Sequence, residues 1–171
     1  MERWREIENF PDYSVSNQGR VRSNKTDRIL ALNENQFGVL NVGLMRDGQQ
    51  WHRSVPLLVA KAFITQTSGA FDTPINLDGN RHNNYVENLV WRPRWFAIKY
   101  NRQFREPYDL PLMTPLVDLK TGEISVNSRE CFKQYGLLEQ DLVLSVLNRT
   151  YVWPTYQEFG FVDEQMTLDI D

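Results

Sequence analysis

Alternation of apolar and polar positions is the first signal along this chain. Tyr13 to Ser16 alternate as a short strand, Asn17-Gln18-Gly19 supplies the turn chemistry, and Arg20 to Ser23 return as the partner strand. Asn17 and Gly19 both tolerate the positive φ that such a reversal needs. Residues 39–45, VLNVGLM, alternate again, Asp47-Gly48 makes a hairpin turn, and Gln50 to Val55 pairs back. Residues 56–64, PLLVAKAFI, read as a short helix with Pro56 in its first turn. Asp78-Gly79 and Asn83-Asn84 are turn formers, and the three prolines of residues 105–115, REPYDLPLMTP, predict a linker. Beyond it Val117 to Leu119 and Glu123 to Val126 flank the turn Lys120-Thr121-Gly122. Ser128 then caps a helix through Tyr135, Gly136 ends it, and Glu139 to Leu147 forms a second helix.

Composition narrows the class. A chain of 171 residues makes one domain or two small modules, and 41% hydrophobic content with five Trp, seven Tyr and nine Phe is enough for a core. No apolar run approaches the roughly 18 residues needed to span a bilayer, and the start, MERWREIENF, is charged instead of signal-like. The expectation is a soluble, cytoplasmic protein with no membrane partner. The single cysteine, Cys131, excludes internal disulfides and a Cys-rich zinc site, and between Glu130 and Phe132 on a predicted helix it reads as a buried apolar residue.

Charge complicates the picture. A net charge of −3 is awkward for a nucleic-acid binder, but residues 1–109 hold 15 Lys and Arg against 12 Asp and Glu, whereas residues 110–171 hold 4 against 10. Within 81–105 the cations Arg81, Arg92, Arg94, Lys99, Arg102 and Arg105 face the one acid Glu87. Arg20 and Arg22, two apart on a strand, project from one face and could reach phosphates, though a solvated strand face explains them equally well.

Residues 75–91, INLDGNRHNNYVENLVW, carry a recognisable order: Asp78, Gly79, Asn80, then Asn83, Asn84, then Glu87, Asn88, Leu89 and Trp91. This resembles the centre of the HNH homing endonucleases of phages and introns. Upstream, Trp4, Ile7 and FPDYSVSNQGRVRS resemble the nuclease-associated modular domain that precedes the HNH region in that family. Residues 115–163 resemble a second nuclease-associated module, a β-hairpin around Thr-Gly-Glu followed by a helix-turn-helix and a closing Gly-aromatic strand. The resemblance implies an α+β fold with three parts. These are a small antiparallel β module at the N-terminus, a degenerate ββα-metal unit with residues 75–91 as loop and hairpin and Trp95 to Phe104 as helix, and the C-terminal module. The expected boundaries are 1–104, a linker at 105–115, and 116–171.

The same resemblance implies an eroded site. Asn76 stands where the family carries its catalytic His, and Ala97 where it carries a metal-holding Asn. Imidazole, with a pKa near ~6.5, is a base at neutral pH, whereas a side-chain amide can orient water but not take its proton. Loss of such a base removes on the order of 10²- to 10⁴-fold in rate. Asp78 remains, but in the family it mainly shapes the turn. Pro56 and Leu57 replace the family's His-Arg pair, while Leu58, Val59, Ala60 and Phe63 keep its packing positions. His82 and His52 are the two histidines available as substitute bases, and Asn101 lies one helical turn beyond Ala97. The framework residues Asp78, Gly79, Asn80, Asn83, Asn84, Asn88 and Trp91 also have a purely structural reading, as turn formers bonded to backbone.

Three functions remain open. One is a non-catalytic DNA-binding protein derived from a phage HNH homing endonuclease. Its contacts to double-stranded DNA would be weak and phosphate-directed, through Arg20, Arg22, Arg81, Arg92, Arg94, Lys99 and Arg102. A second is a phage structural or host-regulatory protein, cytoplasmic or in the virion, that reuses the fold for protein contacts. The third is a nicking endonuclease with an unorthodox base, and only this one calls for Mg²⁺; otherwise no cofactor or metal is expected. The acids at Glu139 and Asp141, at the start of the second C-terminal helix, argue against that helix entering a DNA groove.

Overall fold

The chain starts with an antiparallel meander of β1 (Trp4–Ile7), β2 (Phe10–Ser16) and β3 (Val21–Ser23), in a computed structural model that describes residues 1–162. Val15 and Val21 pair directly across β2 and β3 and are both fully buried, so this sheet turns one face inward. The strand expected from Tyr13 extends back to Phe10, and the expected partner strand begins at Val21 instead of Arg20. Only Gly19 of the turn is left-handed, at φ +81°; Asn17 is buried in ordinary backbone and uses its Oδ1 to accept from Arg3 N at 2.7 Å.

β4 (Asn33–Glu34), β5 (Leu40–Arg46) and β6 (Gln49–Ser54) form a second three-stranded sheet. Asp47 (φ 53°) and Gly48 (φ 74°) are both left-handed, which matches the twist of a two-residue hairpin. Helix α1 (Val55–Phe63) follows at once. Its Val55, Leu58 and Val59, spaced i, i+3, i+4, are buried in a core with Ile7, Phe10, Val15, Val21, Val42, Leu44 and Leu89. β7 (Thr73–Asn76), a 3₁₀ turn (Val86–Asn88), β8 (Leu89–Arg92) and α2 (Arg94–Gln103) then make the expected strand-loop-strand-helix order, with β7 and β8 antiparallel.

The remaining elements are β9 (Leu116–Asp118), β10 (Ile124–Ser125), α3 (Ser128–Tyr135), α4 (Glu139–Asn148) and β11 (Phe159–Phe161). β9 is the centre of the sheet β10-β9-β11, so the Gly160-aromatic strand closes onto the hairpin as expected. Asn127, not Ser128, caps α3 by accepting from Glu130 N at 3.0 Å, and Gly136 ends it in the left-handed region at φ 64°. Ser128 is buried within the first turn instead. Its Oγ donates to Glu139 at 2.8 Å, and Glu139, expected at the exposed start of α4, is only 1% exposed and lies 3.8 Å from Arg129 Nε. That carboxylate ties two helix starts together and is not offered to a phosphate. Cys131 is fully buried, and burial pushes its thiol up to about 12.

The chain divides into two compact units, Met1–Ala97 and Ile98–Asp171. The division falls inside α2, where the sequence places all of that helix with the first unit. Among the described residues no helix is long and apolar enough to cross a membrane.

Candidate functional site

The loop between β7 and β8 is built from amides around one carboxylate. Asp78 Oδ1 accepts from Asn80 N and from Asn88 Nδ2, both at 2.9 Å, and Oδ2 accepts from Asn83 Nδ2 at 2.7 Å. Asn88 returns a bond, its Oδ1 accepting from Asp78 N at 3.1 Å, and its Nδ2 also reaches Asn83 O at 2.8 Å. Gly79 takes φ 75° so that its N can donate to Asn76 O at 2.9 Å. Asn76, the last residue of β7, is 5% exposed, and its Nδ2 donates to Asn83 O at 2.8 Å and Asn84 Oδ1 at 3.1 Å. The arrangement is an Asx network that fixes the loop's shape, with Asn83 Oδ1 left buried and without a hydrogen-bond partner.

The N-terminal meander braces this loop. Val86 N donates to Asn17 O at 2.8 Å, and Gly19 lies so close to Asn84 that a Cβ at position 19 would meet Asn84 Cβ at 2.9 Å. Trp91 is anchored separately, its Nε1 donating to Ile64 O at 3.1 Å.

His82 joins this network through its backbone, its N donating to Asn80 Oδ1 at 3.0 Å and its O accepting from Asn84 N at 3.1 Å, but neither imidazole does. His82 is half exposed with Nε2 3.2 Å from Glu34 Oε2, and His52 is exposed on β6 opposite Gly43. Ala97 is buried in α2.

The cations divide into several environments. Arg20 makes a two-pronged pair with Glu2, Arg22 lies 3.4 Å from Asp27, and both guanidiniums stand over the Trp4 ring at 5.7 and 4.5 Å. The hydrogen bond from Arg20 holds the Glu2 carboxyl below its ordinary range. Arg81 donates to the Phe37 carbonyl. Arg92, expected among the phosphate-facing cations, is 5% exposed; its Nη1 donates to Trp91 O at 2.9 Å and its guanidinium lies 5.8 Å from the Phe96 ring. Arg94 and Lys99 are exposed, and Arg102 is exposed but paired with Glu106 at 2.6 Å. The partners Glu2, Trp4 and Glu34 went unassigned in the sequence because nothing local marks a residue 18 or 48 positions away as a neighbour. Trp4 alone had a signal, its place in the N-terminal motif.

Comparison with known proteins shows what the chain is similar to. The family profile of the NUMOD4 motif matches residues 2–44. Two curated relatives of Acanthamoeba polyphaga mimivirus match about half of this chain. The uncharacterized HNH endonuclease L247 is 30% identical over 91 residues, 53% of this chain and 23% of its own length. The uncharacterized HNH endonuclease L245 is 32% identical over 89 residues, 52% of this chain and 26% of its own. The solved structure of the HNH homing endonuclease I-HmuI has the same fold, with a TM-score of 0.53 at 21% identity, covering 93% of this chain and 97% of that one. The chain is similar in sequence to HNH endonucleases over about half its length and shares the fold of an HNH homing endonuclease. It spans about a quarter of the length of the curated relatives it matches.

An HNH site of the ββα-metal kind calls for a divalent cation, and the residues present here do not fit one. A hard cation wants several oxygen ligands at close to octahedral geometry. Both Asp78 oxygens are already engaged by amide donors, Asn76 is oriented by its own two bonds, and Ala97 supplies no ligand atom. Among the described residues no group of three or more His, Cys, Asp or Glu side chains is placed to hold a metal ion.

Proposed function

We propose that this chain is an HNH-derived DNA-binding protein that keeps the scaffold and lacks the cleavage chemistry. The observation that carries the reading is Asn76. It occupies the family's base position as a buried amide whose Nδ2 is spent on Asn83 O and Asn84 Oδ1, so it holds the loop and has no basic lone pair to offer a water. Relationship to HNH endonucleases, and to a protein whose structure is described by its DNA binding and cleavage, supports DNA as the partner. The exposed cations that could meet phosphates are Arg94 in the first unit and Lys99 and Arg102 in the second, with Arg81 half-buried; Arg102 would have to share its charge with Glu106, Arg20 and Arg22 are already paired with Glu2 and Asp27, and Arg92 is withdrawn by its burial.

The test is a nicking and binding assay on the same preparation. Supercoiled plasmid with Mg²⁺ or Mn²⁺ should stay intact, while a labelled duplex should be bound at low salt with an affinity that falls by about 0.9 in log K per log salt for each phosphate contacted. Metal-dependent nicking that disappears on His82→Ala or His52→Ala would establish the nickase reading instead.

A second reading, contacts to a phage or host protein, rests on α4 and the turn after it. Leu144, Leu147 and Tyr151 are 45%, 58% and 67% exposed, next to the acid Asp141, a surface that suits a protein better than a phosphate backbone. Absence of duplex binding at low salt moves the protein-contact reading into first place.

A further inference from the structure

Tyr85 is the exposed aromatic of the loop, 49% accessible, on a segment that is otherwise locked. The residue before it, Asn84, is 2% exposed and packed on Gly19; the residue after it, Val86, donates to Asn17 O; and the Tyr85 carbonyl itself accepts from Asn88 N at 2.9 Å. The ring therefore stands in water on a rigid mount, which costs little entropy when something stacks on it. It borders a shallow depression of about 570 Å³ lined by Asn80, His82, Asn83, Glu87 and Asn88, side chains that carry both donors and acceptors. Arg20, half exposed on the N-terminal meander, has its guanidinium held over Trp4 by Glu2.

We infer that Tyr85 is a nucleobase-stacking residue: a base displaced from its helix stacks on the Tyr85 ring beside the depression. This rests on the DNA-binding reading above and deepens it. The chemistry fits an unpaired nucleotide better than a phosphate. Arg20 is committed to Glu2 and His82 to Glu34, so the patch brings little uncompensated positive charge. What it does offer is a π surface beside hydrogen-bonding side chains, which recognises a base that has left its stack and leaves a paired one alone.

The experiment compares a fully paired fluorescent duplex with the same duplex carrying one extrahelical base, by anisotropy across a salt series, for the full chain and its variants. The wild type should prefer the bulged duplex. Tyr85→Ala should lose about tenfold on the bulged duplex, within the range for one base-aromatic stack, and little on the paired one. Tyr85→Trp should retain the preference, and the salt slope should be the same in all three proteins. Because the side chain is exposed and its backbone bonds are untouched, thermal midpoints should agree, which separates a contact role from a folding role. Equal affinity for both duplexes, or a Tyr85→Ala variant that keeps the preference, overturns the inference while leaving DNA binding intact. Absence of binding to either duplex at low salt overturns both.

Discussion

Replacing Gly19 by Ala should destabilise the Met1–Ala97 unit far more than an exposed turn substitution ordinarily does. Two effects add at this position. Gly19 sits at φ +81°, where an L-residue costs about 1–2 kcal/mol. The new Cβ would also lie 2.9 Å from Asn84 Cβ and 3.3 Å from Asn84 O. Asn84 is buried and bonded both to Asn76 and to the Arg81 carbonyl, so it has little room to retreat, and overpacking of this kind costs roughly 1–3 kcal/mol. The sum, about 2–5 kcal/mol, should lower the thermal midpoint of this unit by roughly 8–40 °C. Gly48→Ala is the control. Its φ is +74° and nothing lies within 4 Å of where a Cβ would stand, so it should show the conformational cost alone. Urea unfolding followed by tryptophan fluorescence measures both. If Gly19→Ala costs no more than Gly48→Ala, the close docking of the N-terminal turn on the loop is wrong.

Asn76→Ala should cost about 1–3 kcal/mol, because Asn83 O and Asn84 Oδ1 lose a buried donor, and chemical denaturation will show whether it does. The double change Asn76→His with Ala97→Asn tests the lost chemistry directly: weak metal-dependent plasmid nicking is expected, and none at all would mean that the loop no longer presents position 76 to a substrate. Reversing Arg81 and Arg94 to Glu should abolish duplex binding at low salt in an anisotropy titration, whereas Arg92→Ala should reduce stability first, since that side chain is buried against Phe96. Asp118 supplies a pH dependence. Burial pushes its carboxyl up, but hydrogen bonds from Lys120 N, Gln157 and Thr121 outweigh it and leave the group below its ordinary value. Its stabilisation is therefore complete above the unfolded value of about 3.9 and is lost as pH falls through the lower folded value. Asp118→Asn should flatten the acid limb of a stability–pH curve, and an unchanged limb would contradict this.

Much of the fold was legible in the sequence because its determinants are local. Left-handed turns at Gly19, Asp47-Gly48, Gly79 and Gly136 follow from which residues tolerate positive φ, and the apolar spacing of α1 follows from helical periodicity. The loop motif was equally visible, since Asx turns are bonded within a few residues. Tertiary structure alone decided which charges remain available. Arg92 and Glu139 read as exposed cation and exposed acid, yet both are buried, Arg92 against its near neighbours Trp91 O and Phe96 and Glu139 against Ser128, eleven residues back. Arg20 finds Glu2, His82 finds Glu34, and Gly19 finds Asn84 only after strands distant in sequence are paired. A side chain's own identity sets what it can bond to, but burial and pairing are set by its neighbours in space, and long-range neighbours are not encoded in local pattern.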